Sequence, residues 1–334
     1  MNLPRRKLLR LATGAGALPF IAGIARAQSF PSRPITMVVP VSAGGAMDTN
    51  ARLIAEGMRA ALGQPVVIEN VTGASGSIGA GRVARAAPDG TTIAYGALVT
   101  HVVNGAVYSL PYDVRTDFEP VAFIAGTPWL ICAKNDLPAN DLKGLIAWLK
   151  ANPDKASSGT AGAGSPSHLG GILFQNITGT RFALVPYRGT APSIPDLISG
   201  ALDMAILDPI TSLPQLRGGR IKILAVMAKS RTATAPDIPT TDEAGAPGLH
   251  LSPWQAIWAP KGTPKDIIAT LNAAVVHALN DPDIRRKMAE QSYEIGPREE
   301  QTPEYLAAFH KAEIELQRQR ATNGNSHSYF SGSP

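Results

Sequence analysis

The segment VVIENVTGASGSIGAGRVARA, residues 66–86, decides how this chain is to be interpreted. An apolar, strand-like run is followed by Gly73, Gly76 and Gly79 and then by a helix-like run. A strand, a glycine-rich turn and a helix in this order are typical of a dinucleotide-binding βαβ unit. The segment therefore predicts α/β structure and raises the question of whether the chain is a nucleotide-dependent enzyme.

Three features of the sequence argue against a nucleotide site. The candidate strand is the second of the chain, and Glu69-Asn70-Val71 separates it from the glycines, whereas the dinucleotide fold places its glycines directly after the first strand. None of the seven tyrosines has a lysine four residues later, as the proton-transfer pair of short-chain dehydrogenases requires. No Lys-Ser or Lys-Thr follows the glycines to form a phosphate loop. We therefore expect no nucleotide and no other cofactor.

Residues 1–27 have the pattern of an export signal. Four basic residues between positions 5 and 10 precede an apolar stretch without acidic residues, and Ala25-Arg26-Ala27 provides the small residues of a cleavage site. The apolar stretch is shorter than the roughly 20 residues that span a membrane. We expect cleavage after Ala27 and a periplasmic protein. Arg5-Arg6 also fits the twin-arginine route, so the route of export stays open.

Charge and cysteine content exclude further classes of protein. The chain has 31 basic and 26 acidic side chains, but residues 1–27 contain five of the basic ones, so the remainder is neutral. No run of Lys and Arg is interleaved with aromatic residues, and we expect no nucleic-acid partner. Cys132 is the only cysteine, which excludes a disulfide framework and a cysteine-based metal site. It lies in an apolar run and is predicted to be buried.

Apolar runs alternate between strand-like and helix-like patterns, which predicts largely parallel sheets covered by helices. In the first helix, Asp48 is the expected N-cap and Gly63 the expected left-handed residue after the last turn. A second α/β unit begins near residue 121. Strands are predicted at 35–40, 66–68, 91–95, 124–131, 182–187, 204–207, 221–227 and 254–259, and helices at 48–62, 79–86, 142–151, 167–178, 191–199, 264–279, 282–291 and 303–320.

Residues 66–86 have a different interpretation when the other motifs of the chain are considered with them. Residues 70–79 have the pattern N-x-x-G-A-x-G-x-I-G and are followed by ARAAPDGT. Further motifs occur along the chain: PSRPITMVVPVSAGGAMDTNAR, GQPVVIEN, LPYDVRTDFEPVAFIA, GSPSHLGGILFQNITG, VPYRGTAPSIPDLISGALD, APDIPTTDEAGAPG, WAPKGTPKDIIATLNAAV and DPDIRRKMAEQ. In this order they resemble the Bug-type receptors of the tripartite tricarboxylate transporter family, over nearly all of the chain after residue 27.

The resemblance implies a two-lobed periplasmic-binding-protein fold, also called a Venus flytrap, in which each lobe is a mixed, mostly parallel sheet flanked by helices. We expect residues 28–126 and 228–322 to form lobe 1, residues 127–227 to form lobe 2, and residues 323–334 to form a flexible tail. The implied function is that of a monomeric receptor, not an enzyme. It would capture a small dicarboxylate, tricarboxylate or aromatic carboxylate and deliver it to permease subunits of a tripartite tricarboxylate-type transporter.

The candidate ligand-binding residues lie in loops that the resemblance places around a cleft between the lobes. The first loop supports anion binding by itself, because its glycines let backbone N–H groups at a helix start approach a carboxylate. The candidates are Ser42, Ala43, Gly44, Gly45, Thr100, His101, Ser165, Ser167, His168, Arg188, Gly189, Thr190 and Asp208. For Arg188 a solvated surface charge, and for Asp208 a role in holding the neighbouring loop, remain equal alternatives.

The chain departs from the family pattern at four places that bear on the ligand. The first loop usually reads Pro-aromatic-Ala-Pro-Gly-Gly, whereas here it is Pro40-Val41-Ser42-Ala43-Gly44-Gly45. The usual Tyr-Lys-Gly is Tyr187-Arg188-Gly189, and the usual Asp-Asn pair is Asp208-Pro209. The tryptophan that normally follows Ala-Glu-Ile in the last helix is missing after Ile314.

The sequence leaves two other classes of function as alternatives. His168 stands beside two serines, but the sequence has no Gly-x-Ser-x-Gly elbow and no His-Glu-x-x-His motif, so no catalytic set and no metal site can be assembled. An exported enzyme on the same scaffold is the weaker alternative. A ligand-dependent periplasmic sensor is the other, and the residues do not separate it from a transport receptor.

Overall fold

The computed structural model describes residues 30–323, except for the side chains of residues 107 and 320–323. The predicted export signal at 1–27 and the tail after residue 323 lie outside the described residues. Within them, no helix has the length and apolarity to cross a membrane.

Two five-stranded sheets organise the described chain. The first has the order β2-β1-β3-β10-β4, and the second has the order β7-β6-β8-β5-β9. Each contains two parallel and two antiparallel pairings among the described strands. The strands are β1 (Ile35–Val39), β2 (Val66–Asn70), β3 (Thr92–Ala97), β4 (Phe118–Gly126), β5 (Leu130–Lys134), β6 (Ser157–Thr160), β7 (Ala183–Pro186), β8 (Met204–Leu207), β9 (Ile221–Val226) and β10 (Trp254–Pro260). The predicted pair of mixed sheets is confirmed, but the sheets are not mostly parallel as expected, because β10 and β5 each pair antiparallel with both of their neighbours.

Helices flank both sheets. They are α1 (Ala46–Leu62), α2 (Ser77–Ala84), α3 (Asn104–Val107), α4 (Leu142–Ala151), α5 (Pro166–Thr178), α6 (Ile194–Ser199), α7 (Pro209–Arg217), α8 (Lys265–Asn280), α9 (Pro282–Glu290) and α10 (Pro303–Asn323). On the first sheet, α1 and α8 pack very closely where Gly57 meets Ala278. A Cβ added at Gly57 would lie only 2.5 Å from the Cβ of Ala278. Ile54 and Leu271, one from each helix, are fully buried in the core that results.

The chain crosses between the sheets twice, once after β4 and once before β10. These two segments run side by side, since the N–H of Thr127 donates to the carbonyl of Pro253 at 3.0 Å and that of Trp129 donates to Leu251 at 3.0 Å. Two adjacent crossover segments are the only covalent links between the two sheets among residues 30–323. They lie together at one end of the space between the sheets.

Several predicted elements differ from those of the structure. The first helix begins at Ala46 with Gly45 as its N-cap, so Asp48 is not the N-cap but lies in the first turn. The prediction was wrong because the helix begins two residues earlier, and the carboxylate of Asp48 is bound by Arg52, Gly44 and Asn70 instead of by the N–H groups of the first turn. The strand β6, the π-helical turn Val99–Val103 and the helices α3 and α7 were not predicted. The strand predicted at 124–131 is instead the end of β4 and the start of β5, which belong to different sheets. Gly63 has φ of 65° and ends α1 as expected, and Cys132 is fully buried in β5.

Candidate functional site

A cleft of about 1010 Å³ lies between the two sheets. Its walls come from loops that follow β1, β2 and β3 of the first sheet and β6, β7 and β8 of the second, and the β2 loop contributes Thr72, Gly73, Ser75 and Gly76 of the glycine-rich segment. These loops stand at the carboxyl ends of parallel strands, where ligands bind in α/β folds because the strand order leaves a crevice there. The predicted residues that line the cleft are Ser42, Gly45, Thr100, Ser165, Arg188, Gly189, Thr190 and Asp208.

One wall of the cleft is the N-terminus of α1. Ser42, Gly45, Ala46 and Met47 line it, and no side chain of the described residues caps the first turn. The N–H groups of a helix's first turn have no partner within the helix, and the helix dipole adds positive potential there. This end of α1 can therefore bind a carboxylate through its backbone.

The loop before α1 is shaped by Gly44. Its φ is 88°, a left-handed conformation that side chains disfavour, and a Cβ there would meet nothing within 4 Å. Gly44 and Ala43 are exposed but do not belong to the cleft lining. The N–H of Gly44 donates to the Asp48 carboxylate at 2.9 Å, so it is not free for a ligand.

Asp48 holds this loop in place. It is 2% exposed and accepts hydrogen bonds from Nε and Nη2 of Arg52, at 2.9 and 3.0 Å, and from Nδ2 of Asn70 at 2.9 Å. The same Asn70 nitrogen donates to the carbonyl of Val41 at 2.9 Å. Hydrogen bonds from Arg52 lower the pKa of Asp48 to about 2 and outweigh the opposing effect of burial, so the carboxylate is ionised and fixes the loop.

The opposite wall contains the start of α5. Ser165 is its N-cap, and its Oγ accepts from the N–H of His168 at 3.3 Å and donates to the carbonyl of Gly162 at 2.6 Å. Ser167 is 1% exposed, and its Oγ accepts from the N–H of Ala161 at 2.8 Å. Ser165 therefore faces the cleft, whereas Ser167 supports the loop from behind.

Two histidines predicted in the site stand outside the cleft lining. The Nδ1 of His168 accepts from the N–H of Gly164 at 3.4 Å, and burial lowers the pKa of His168. His101 is 1% exposed and stacks on Trp258, with ring centroids 5.0 Å apart. Burial holds the pKa of His101 well below its ordinary value, so the ring is neutral at pH 7.

Thr100 separates His101 from the cleft. Its Oγ1 accepts from the N–H of Ala97 at 3.0 Å and lies 2.9 Å from Nδ1 of His101. The hydroxyl is thus shared between the end of β3 and the histidine ring. Thr100 lines the cleft, as predicted, whereas His101 lies behind Thr100 and does not belong to the lining.

The remaining wall carries the only two charged side chains of the described lining, Arg188 and Asp208. Oδ1 of Asp208 accepts from the N–H of Thr211 at 2.9 Å and caps α7, and Oδ2 accepts from Oγ1 of Thr190 at 3.0 Å. These two contacts agree with the predicted alternative, in which Asp208 holds its neighbouring loop. Arg188 is exposed and forms no ion pair within residues 30–323.

Sequence reasoning missed the floor of the cleft. Trp129, Trp254, Gln255 and Tyr293 line it, beside the two crossover segments. Their only signal in the sequence is their position next to the points where the chain changes sheets. Elsewhere among residues 30–323, no group of three or more His, Cys, Asp or Glu side chains is arranged to hold a metal ion.

Comparisons with known proteins agree with this architecture. The family model described as "Tripartite tricarboxylate transporter family receptor" matches residues 50–315. The chain is 37% identical to the periplasmic binding protein BugD, with a TM-score of 0.75 over 88% of this chain and 98% of that one. It is 37% identical to MatC of Rhodopseudomonas palustris with bound malate, with a TM-score of 0.75 over 87% and 99% of the two chains.

A third solved structure, Rpa4515 of R. palustris with adipate, is 35% identical and has a TM-score of 0.76 over 88% of this chain and 98% of that one. These proteins have the two-lobed fold of periplasmic binding proteins, and the predicted fold and the stated resemblance are confirmed. The family and the fold are those of solute-binding receptors. The chain belongs to the tripartite tricarboxylate transporter receptor family.

Proposed function

We propose that this protein is an extracytoplasmic receptor that binds a small carboxylate in the cleft and delivers it to permease subunits of a tripartite tricarboxylate-type transporter. The observation that carries the proposal is the uncapped N-terminus of α1 in the cleft wall, held there by Asp48. Malate and adipate are bound by two structures of the same family, and both are dicarboxylates. The role assigned here uses backbone N–H groups, and it needs no cationic side chain.

The two walls supply different donors to one ligand. On the α1 side, the first residues of the helix line the cleft, and a carboxylate bound at such a helix end gains about 0.3–1 kcal/mol when exposed and up to about 2 kcal/mol when partly buried. On the other side is the guanidinium of Arg188, whereas the hydroxyl protons of Ser165 and Thr190 are donated to the carbonyl of Gly162 and to Asp208. A ligand that touches both sides favours the closed arrangement, because only there are both sets of donors within reach.

The proposed lobes follow the two sheets, with residues 30–126 and 252–322 in lobe 1 and residues 127–251 in lobe 2. The boundary expected at residue 228 moves because Ile238, Leu249 and Leu251 pack in the cores of the second sheet. The paired crossover segments at Thr127 and Trp129 are the hinge about which they rotate. We assign residues 1–27 as a signal removed after Ala27, the periplasm as the location, and a monomer as the working state. A sensor on the same scaffold would use the same cleft, and whether a permease or a signalling protein follows in the genome distinguishes the two.

Thermal-shift screening of the protein lacking residues 1–27 tests the proposal. Mono-, di- and aromatic carboxylates are compared with neutral sugars of similar size. Specific binding raises the melting temperature in proportion to RT ln(1 + [L]/Kd), so a saturating carboxylate at 100 times its Kd adds about 2.7 kcal/mol of stability. Stabilisation by sugars with no response to any carboxylate would refute the proposal, and turnover of a bound carboxylate would favour the enzyme alternative.

A further inference from the structure

A cavity of about 490 Å³ lies between α10 and the first sheet, and we call it the α10 cavity. It is bounded by the segment that enters β4, by Trp258 of β10 and by one face of α10. Ala307, Lys311 and Ile314 belong to that face, because residues three and four apart are neighbours on a helix surface. Among the described residues, the α10 cavity and the cleft have no lining residue in common.

The strand β10 sets the distance between the α10 cavity and the cleft. Trp254 lines the cleft and Trp258 lines the α10 cavity. Both side chains pack in the same cluster on one face of the first sheet, as residues an even number apart on a strand do. A strand rises about 3.3 Å per residue, so the two positions are about 13 Å apart. Two small molecules can therefore occupy the cleft and the α10 cavity at the same time.

The floor of the α10 cavity is aromatic and carries an unused donor. Phe118 and Trp258 meet edge to face, with ring centroids 6.5 Å apart, and they are 7% and 1% exposed. The indole Nε1 of Trp258 is buried and has no hydrogen-bond partner among the described residues. A buried N–H without an acceptor costs free energy. An acceptor atom of a molecule in the cavity would remove this cost.

Two histidines hold Trp258 in place. His101 stacks on the indole, with an angle of 10° between the rings, and His310 packs against it at 4.6 Å between ring centroids. A Cβ at Gly96 would lie 2.3 Å from the ring of His101 and 2.8 Å from that of Trp258, so only glycine admits this stack. Nε2 of His310 donates to the carbonyl of His101 at 2.7 Å, and burial lowers the pKa of His310. The floor is therefore fixed and uncharged at pH 7.

The exposed part of the lining is cationic. Arg115, Lys311 and Arg318 are exposed and line the α10 cavity, whereas Glu315 is the one acidic side chain of the described lining. Oε1 of Glu315 accepts from Nε2 of Gln319 at 3.1 Å. Within residues 30–323, neither Arg115 nor Lys311 has a side-chain ion pair or hydrogen bond. The cavity thus has a surplus of positive charge.

The aspartates on either side of Arg115 do not neutralise it. Oδ1 of Asp113 accepts from the backbone N–H of Arg115 at 2.8 Å, and Oδ2 of Asp117 accepts from that of Asp113 at 2.8 Å. Both carboxylates stabilise the turn before β4, and neither aspartate lines the α10 cavity. The Arg115 guanidinium therefore remains available to an anion.

These features select one class of ligand. An aromatic ring covers the Phe118 and Trp258 floor, and a carboxylate forms charge-assisted hydrogen bonds with Arg115 and Lys311. An inorganic anion would leave the floor uncovered, and a neutral aromatic compound would leave the cations unused. A cavity of about 490 Å³ lies within the usual range of small-molecule sites.

We propose that the α10 cavity is a second ligand site, which binds an aromatic carboxylate while the cleft is occupied by its own ligand. The carboxylate lies at Arg115 and Lys311, the ring lies on Phe118 and Trp258, and an oxygen on the ring accepts from Nε1 of Trp258. The site is independent of the proposed function, because none of its residues lines the cleft.

The test uses 6-hydroxy-2-naphthoate, which carries a carboxylate at one end of a rigid aromatic body and an oxygen at the other. It is titrated calorimetrically into the protein lacking residues 1–27, in excess adipate, which occupies the cleft. One equivalent should still bind. 2-Naphthol has the same ring and hydroxyl but no carboxylate, and it should bind at least about tenfold more weakly, because it lacks the charge-assisted hydrogen bonds.

Two neighbouring alanines of α10 provide a variant and its matched control. Ala307 and Ala308 are both exposed, but only Ala307 lines the α10 cavity. Ala307→Phe places a bulky ring at the cavity and should weaken 6-hydroxy-2-naphthoate binding at least about tenfold. Ala308→Phe adds the same ring beside it and should leave the affinity within about twofold. Thermal melting checks that both variants fold.

A second pair of variants tests the cations. Arg115→Gln with Lys311→Gln should weaken 6-hydroxy-2-naphthoate binding at least about tenfold, and this pair replaces Ala307→Phe if that variant does not melt cooperatively. Lys265→Gln with Lys287→Gln removes the same charge from exposed positions of α8 and α9 outside the α10 cavity, and should leave the affinity within about twofold.

Three results would overturn the second site. They are the absence of 6-hydroxy-2-naphthoate binding, its complete displacement by adipate, and an affinity that is unchanged in folded Ala307→Phe or in the variant without the two cations. None of them bears on the proposed function, because adipate binding to the cleft is measured separately in the same titrations. If adipate does not bind, the two pairs of variants alone decide whether the naphthoate occupies the α10 cavity.

Discussion

Asp48 and Arg52 lie one turn apart on α1 and are joined by two hydrogen bonds of 2.9 and 3.0 Å, with Asp48 buried and Arg52 half-exposed. The same carboxylate binds the N–H of Gly44, so the ion pair is connected to the loop that enters the cleft. The order of the loop therefore depends on a charge that lies outside the ligand's reach.

This connection predicts an acid dependence. Because the pKa of Asp48 falls from 3.8 to about 2 on folding, its contribution to stability is present above pH 4 and is lost as the pH falls towards 2. Asp48→Asn lacks this titration, so its stability should fall less steeply between pH 4 and pH 2 than that of the wild type. Denaturant unfolding across this range measures the slopes. Identical slopes would show that Asp48 titrates normally in the folded protein.

The ends of α1 provide a matched pair of glycines. Gly44 and Gly63 have φ of 88° and 65°, and a Cβ at either would meet nothing within 4 Å. Alanine at each position should cost about 1–2 kcal/mol of stability through backbone strain alone. Only Gly44→Ala should also weaken carboxylate binding, because Gly63 is at the far end of the helix. Equal affinities of the two variants for the carboxylate would show that the loop at Gly44 does not affect ligand binding.

The contact between α1 and α8 predicts a variant that damages the fold without touching the cleft. At Gly57 a Cβ would lie 2.5 Å from the Cβ and 2.8 Å from the Cα of Ala278, so the helices must move apart to admit it. Gly57→Ala should lower the free energy of unfolding by about 1–3 kcal/mol, as overpacking does. Denaturant titration measures this loss. A stability equal to that of the wild type would show that the helices are less closely packed.

Replacement of Asp208 is expected to strengthen ligand binding, whereas replacement of Gly44 is expected to weaken it. Asn caps helices about as well as Asp, so Asp208→Asn should keep the bond from Thr211 and change the stability by less than about 0.5 kcal/mol. Removal of the only negative charge in the described lining should strengthen adipate binding by a few-fold, because like charges repel across the cleft. Weaker adipate binding by Asp208→Asn would show that the aspartate holds the ligand through a bridging donor.

Local chemistry explains which parts could be predicted. The Ser42–Gly45 loop and the start of α5 were recognisable because glycines and capping serines affect the backbone only within a few residues along the chain. The helix α7 was missed because its sequence contains Pro209 and Pro214, which are unusual in helices. The helix forms because a proline is tolerated in the first turn and because Asp208 caps the helix. The polar strand β6 has no apolar pattern and is buried only by its neighbours.

Long-range packing explains the rest. His101 is directed away from the cleft by stacking on Trp258 of β10, a contact that no local pattern reveals. Gln255 and Tyr293 meet in the cleft because β10 returns to the first sheet and α9 is followed by a bridge from Glu294 to Gly126. Neither position carries a motif, so the hinge end of the cleft could be found only from the assembled fold.

The proposed function depends on a carboxylate that binds at the N-terminus of α1. Calorimetric titration of the wild type and of Gly44→Val with adipate and malate, each checked by thermal melting, tests it most directly. The wild type should bind at least one of the two ligands in the micromolar range, at about −8 kcal/mol. Gly44→Val should lose at least about tenfold in affinity and still melt cooperatively. Unchanged affinity in a folded Gly44→Val protein would contradict it.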